Sequence, residues 1–179
     1  LTRGLGVAAL AVSAALALAS CAPAGAEQTT LTFAVDGANL ASHMDPHATQ
    51  LDIGVLVQRA AFDSLVYQNA DGEIVPWLAA GYERSADDLT VAFALRADVT
   101  FHDGEPFNAD AVVANIEHVI APETASAQAA SAIGWDAENP DDGAFVGVTA
   151  IDEYTVEFEF RRPFVTFLQG IASANLGMY

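Results

Sequence analysis

The stretch from Phe93 to His118, FALRADVTFHDGEPFNADAVVANIEH, constrains the fold more tightly than any other part of this chain. Val91, Phe93 and Leu95 alternate with small residues, so Leu89 to Arg96 is predicted as a strand with one buried face. Asp103-Gly104 supplies a turn, and Pro106 fixes the backbone just beyond it. Asn108 is a good N-cap, and Phe107 is placed to pack on Val112 as a hydrophobic staple. Val112, Ile116, Val119 and Ile120 follow at helical spacing until Pro122 stops the helix. A strand, a turn and a capped helix thus follow one another in close succession.

The flanking sequence repeats this alternation of signals. Leu31, Phe33 and Val35 predict a first strand over residues 30–36, and residues 37–48 read as a loop. Thr49 is placed to cap a helix from about Leu51 to Leu65, with Leu51, Val55, Ala61, Phe62 and Leu65 available for burial. Leu65-Val66-Tyr67 and Ile74-Val75 flank Asn69-Ala70-Asp71-Gly72, the pattern of a hairpin. Pro76 to Gly81 reads as a short helical turn with Trp77 filling a core, and Asp87-Asp88 as the bend into the next strand. Residues 123–142 read as a loop holding at most one short Ala-rich helix. Val146, Val148 and Ala150 predict a strand that turns at Asp152-Glu153 into Tyr154, Val156, Phe158 and Phe160. After Pro163, Phe164, Phe167, Leu168 and Ile171 stand at helical spacing.

Charge excludes some functions. The chain holds six Arg, no Lys and 24 acids, a formal net charge of -18. Such a field repels nucleic acid and anionic headgroups, so no nucleic-acid partner is expected. Cys21 is the sole cysteine, which rules out an intrachain disulfide and a Cys-based zinc site. Arg3 followed by an apolar run from Val7 to Leu18 has the form of a secretory signal, too short to serve comfortably as a permanent membrane span. Leu18-Ala19-Ser20-Cys21 looks like a bacterial lipobox, with Cys21 as the lipidated mature N-terminus. Cleavage after Ala26, with Cys21 discarded, is the alternative.

Several elements carry a family resemblance. His43-Met44-Asp45-Pro46-His47 follows the first strand, and Phe62-Asp63-Ser64-Leu65-Val66 comes next. Asp71-Gly72-Glu73-Ile74-Val75-Pro76-Trp77-Leu78-Ala79 precedes Tyr82-Glu83-Arg84-Ser85. The run from Leu95 to Phe107 forms a signature hairpin, Ala109-Asp110-Ala111-Val112-Val113 opens a signature helix, and Pro163-Phe164-Val165-Thr166-Phe167-Leu168 closes the series. In this order they resemble the peptide/nickel class (family 5) of extracytoplasmic solute-binding proteins, the binding subunits of ATP-driven importers. Val91-Ala92-Phe93 and Ser64 depart modestly from the family's usual residues.

The resemblance implies a periplasmic-binding-protein-like (class II) bilobal α/β fold of which this chain is the N-terminal portion. It divides the chain into a lipoprotein signal peptide (1–20), a lipidated Cys and flexible tether (21–29), and the N-terminal part of a solute-binding domain (30–179). That last part would comprise the first main-lobe strand, an accessory lobe and the start of the return to the main lobe. It implies a monomer, lipid-anchored at the outer face of the cell membrane or in the periplasm, that hands oligopeptides or dipeptides to membrane permeases. Nickel or another small solute is the alternative within the class. A surface sensor or adhesin without a transport partner is the alternative outside it. The 179 residues by themselves are expected to fold poorly and to bind ligand weakly.

Residue by residue, most chemical candidates read as structure. His102, Asp103 and Glu105 suit a solvated turn better than acid/base work. His43 and His47 stand four apart, a metal-ligand spacing on a helix, but Pro46 intervenes in a loop. The reading is a positioning turn with no metal assigned, while a metal-dependent hydrolase using both imidazoles stays as a rival. Trp77 reads as packing, and Trp135 as packing or a ligand platform. In the family the loop after the first strand reaches the ligand, so the resemblance makes Asn39, His43, Met44 and Asp45 the expected contacts. Asn39 and His43 would hydrogen-bond, Met44 would make contact, and Asp45 would brace the turn. No catalytic residue and no cofactor are expected.

Overall fold

Two antiparallel ribbons form because short alternating strands are joined by turns that the side chains themselves stabilise. The computed structural model describes residues 45–48, 56–123 and 127–179, all within one unit, Asp36–Tyr179. The first strand, the signal segment, Cys21 and the tether lie outside the described residues. The smaller ribbon pairs β1 (Val66–Gln68) with β2 (Ile74–Pro76). Its turn is closed by Asn69 Oδ1, which accepts from the backbone N–H of Asp71 (3.0 Å) and Glu73 (2.9 Å). Gly72 takes φ +84°, a region that favours glycine.

The larger sheet holds β3 (Ala79–Arg84), β4 (Thr90–Leu95), β5 (Phe145–Asp152) and β6 (Thr155–Phe160), ordered β3-β4-β6-β5 with antiparallel neighbours. The predicted alternation holds in both central strands. Val91, Phe93 and Leu95 of β4 and Val156, Phe158 and Phe160 of β6 are all buried. Register places Val91 opposite Phe158 and Phe93 opposite Val156, so the two strands share one apolar face.

Helix α1 (Ala109–Ile120) starts where the sequence places it. Asn108 is extended, and its Oδ1 accepts from Ala111 N–H at 2.9 Å. The helix buries Ala109, Val112, Ile116 and Val119 and lies against β5 and β6. The short helix α2 (Ala127–Ala132) is the Ala-rich one, and it packs near α3 (Phe167–Ile171). Phe167 seats α3 on the sheet, with ring centroids 4.8 Å from Phe160, 5.0 Å from Phe158 and 6.1 Å from Phe93. Gly170 lets α3 approach α2 closely, since a Cβ there would come within 1.9 Å of the Ala132 carbonyl oxygen. A 3-10 turn, Ala174–Leu176, follows. Among the described residues no helix is long and apolar enough to cross a membrane.

Three local expectations fail for one reason, the strand-like pairing around Leu65. The helix does not run to Leu65: residues 56–58 are helical, 59–61 form a turn, and Ala61 is exposed. The Leu65 carbonyl instead accepts from Trp77 and Ala79 N–H (3.1 and 2.9 Å), while Leu78 N–H donates to Ser64. These bonds hold Trp77-Leu78 as a bend between strands, with no helical turn. Trp77 is therefore turned outward at 46% exposure, tilted on Tyr67 at 5.5 Å, and does not fill the core. Trp135 packs edge-on to Phe145 at 6.3 Å.

Three substitutions test these local features. Gly170→Ala should destabilise by about 3 kcal/mol in urea unfolding, because backbone blocks the added methyl. Gly81→Ala, with nothing within 4 Å of its Cβ, should be neutral or slightly stabilising. Asn108→Ala should cost about 1 kcal/mol through the lost cap.

Candidate functional site

The described part of the loop that follows the predicted first strand is a tight turn, and Asp45 organises it. Asp45 Oδ1 accepts from the backbone N–H of His47 at 2.8 Å, and its carbonyl accepts from Gln58 Nε2 at 3.2 Å. Its second carboxylate oxygen, Oδ2, lies 2.9 Å from Nε2 of His118 in the last turn of α1. Pro46 and His47 are buried. The His47 ring is 0% exposed, and its Nε2 contacts the Gly177 carbonyl at 3.1 Å.

Tyr179 covers this group, its ring centroid 5.2 Å from that of His47 and 5.9 Å from that of His118. It is held by Asn115, one turn before His118 on the same helix. Asn115 Nδ2 donates to the Tyr179 carbonyl at 2.8 Å, and Tyr179 N–H donates to Asn115 Oδ1 at 3.1 Å. The other side of Tyr179 opens on a groove of about 430 Å³. Phe62, Leu78, Phe101, Phe107 and Met178 supply its apolar walls, with His102 among its lining residues. His102, Asp103 and Glu105 are exposed. The last two close the expected turn: Asp103 Oδ1 accepts from Glu105 N–H at 3.0 Å, and Gly104 takes φ +95°.

Burial sets the protonation pattern. Removal of the His47 ring from water lowers its pKa to about 4, against the pull of Asp45, so the ring is neutral at pH 7. Burial alone would raise the Asp45 carboxyl, but the His118 hydrogen bond and the His47 backbone N–H outweigh it and hold it below the usual range. Burial, together with the charge and hydrogen bonding of Asp45, pushes the Tyr179 phenol up to about 12. The site thus presents an ionised carboxylate and a buried neutral imidazole beside an apolar groove.

Of the residues expected to contact ligand, Asn39, His43 and Met44 lie outside the described residues, and Asp45 stands at the centre of the cluster. The imidazole next to His47 here is His118, at a ring distance of 5.6 Å. Sequence reasoning passed over His118, because a basic residue in the last turn of a helix has a ready local explanation in the helix dipole. Asn175 is buried in the 3-10 turn.

Comparison with known proteins follows the same elements. Residues 73–179 match the model of the bacterial extracellular solute-binding proteins, family 5, middle region. The periplasmic murein peptide-binding protein MppA of Escherichia coli K12 is 30% identical over 171 residues, 86% of this chain and 31% of that protein. The nickel-binding periplasmic protein of the same organism is 41% identical over 66 residues, 37% of this chain and 13% of that protein. The solved structure of the E. coli murein tripeptide binding protein MppA superposes with a TM-score of 0.66 at 29% identity, covering 76% of this chain and 28% of that one. The chain thus spans less than a third of the length of these relatives, and its mixed α/β fold is that of periplasmic binding proteins.

The His47 environment predicts an acid-labile fold. Its folded pKa, about 4, lies below the unfolded value of 6.5, so the unfolded chain binds the proton more readily. The stability is fully present above pH 6.5 and is lost as the pH falls towards 4. Between pH 7 and pH 5 the His47 contribution should fall by about 2 kcal/mol. Denaturant unfolding in EDTA-containing buffer should show this loss, and His47→Gln should flatten it.

Proposed function

Because the chain belongs to the family-5 bacterial extracellular solute-binding proteins, we propose that it acts as the solute-binding subunit of an ATP-driven importer, capturing oligopeptides or dipeptides for membrane permeases. The observation that carries the choice of solute is coverage. The relative named for murein peptide aligns with 86% of this chain, the one named for nickel with 37%. Function of this kind needs no covalent chemistry. It needs a surface that binds solute more tightly in a closed state than in an open one. An apolar groove edged by polar groups, beside a turn held rigid at Asp45, suits such a surface.

Within this reading the loop residues Asn39 and His43 hydrogen-bond the solute, and Met44 makes apolar contact. Asp45 keeps the turn in place, a role its bonds to His47 and His118 support. Residues 30–179 are the N-terminal part of the solute-binding domain, with the accessory lobe built largely from the β-sheet and α1. Cys21 carries the lipid that holds the protein at the outer face of the membrane. A second reading, nickel or a nickel chelate as the solute, draws on the 41% identity to the nickel-binding relative.

Native mass spectrometry of ligands co-purified with the full-length protein separates the two. Short peptides are expected; nickel with a chelator and no peptide would overturn the peptide reading. Intact mass of the mature N-terminus should show a lipidated Cys21, whereas an unmodified start at Glu27 would remove the anchor.

A further inference from the structure

Asp45, His47 and His118 converge from segments 73 residues apart in sequence, and one donor atom from each lies within 4.8 Å of the others. A hydrogen-bonded brace explains the Asp45–His118 contact but leaves His47 unexplained. A carbonyl oxygen only accepts, so the contact with Gly177 requires the neutral His47 ring to carry its hydrogen on Nε2. Nδ1 is then a bare lone pair, and it is buried with no hydrogen-bond partner among the described residues. A buried acceptor left in that state is costly unless something else binds it.

We propose that Asp45, His47 and His118 form a site for one borderline divalent transition-metal ion of the Zn²⁺ class, ligated by His47 Nδ1, His118 Nε2 and an Asp45 carboxylate oxygen. Two imidazoles and a carboxylate are the donors such ions prefer. The remaining ring nitrogen of a metal-bound histidine ordinarily donates to a carbonyl or carboxylate, the place that Gly177 fills for His47. Tetrahedral ligation at about 2.0–2.2 Å sets donors about 3.4 Å apart, so the three side chains draw together by rotation on binding. His118 and Asp45 keep side-chain exposures of 37% and 30%, which leaves the ion a route in and a position for water. Binding replaces any proton shared between His118 and Asp45, which is released to solvent. The net charge of -18 raises the local concentration of cations around the site. The ion clamps the turn at residues 45–48 to the end of α1. It is independent of which solute the groove takes.

The test uses tag-free full-length protein stripped with EDTA, with Zn²⁺ titrated by calorimetry and Co²⁺ by visible absorption. One ion per chain is expected, with the intense d–d bands of four-coordinate Co²⁺ and a Zn²⁺-dependent rise in Tm that EDTA reverses. His118→Gln should weaken affinity at least tenfold with an unchanged far-UV spectrum, while His102→Gln on the exposed turn should leave it unchanged. No saturable binding, or equal affinity in the His118→Gln protein, overturns the site. The Co²⁺ spectrum of the unaltered protein decides the coordination independently of how any variant folds.

Discussion

The seat of Phe167 on the aromatic face of the sheet is the contact on which the rest of the described structure depends. Its ring meets Phe93, Phe158 and Phe160 from two adjacent strands and is itself fully buried. Aromatic side chains of this kind bury about 150–250 Å² each, so the contact outweighs any single polar bond nearby. Where α3 sits determines where the 3-10 turn begins, and that turn delivers the Gly177 carbonyl to His47. The geometry of the cluster is thus inherited from hydrophobic packing on the sheet. Gly170 serves the same end, because α3 could not lie so close to α2 with a side chain there.

Much of this was legible because local signals and tertiary structure agree. The period-2 runs of β4 and β6, the Asn69 and Asp103 turns, and the Asn108 cap each need only neighbouring residues to take effect. Errors concentrate around Leu65, whose carbonyl is claimed by Trp77 and Ala79, partners more than ten residues away. Helical spacing could not reveal that competition. The same limit applies at the site. Asp45 is expected to brace its turn, but its side-chain hydrogen-bond partner is a helical residue that only the folded chain brings near.

The cluster and the groove are joined through a shared residue. Tyr179 packs on both imidazoles and also forms part of the groove wall. A change in the spacing of His47 and His118 therefore bears on a residue of the groove wall. No residue of 45–48 lines the groove, so the turn reaches it only through Tyr179.

The bonds that fix the early segment also impose an order on synthesis. His47 meets the Gly177 carbonyl 130 residues later, and Arg59 meets the Ala172 carbonyl 113 residues later, at 2.7 Å. Translation at about 5–20 residues per second leaves His47 without its partner for about 6 to 26 s after it is made. During that interval a side chain destined for full burial stays bare on the nascent chain. The 3-10 turn that leads into Gly177 is thus made long after residues 45–48, whose burial it completes.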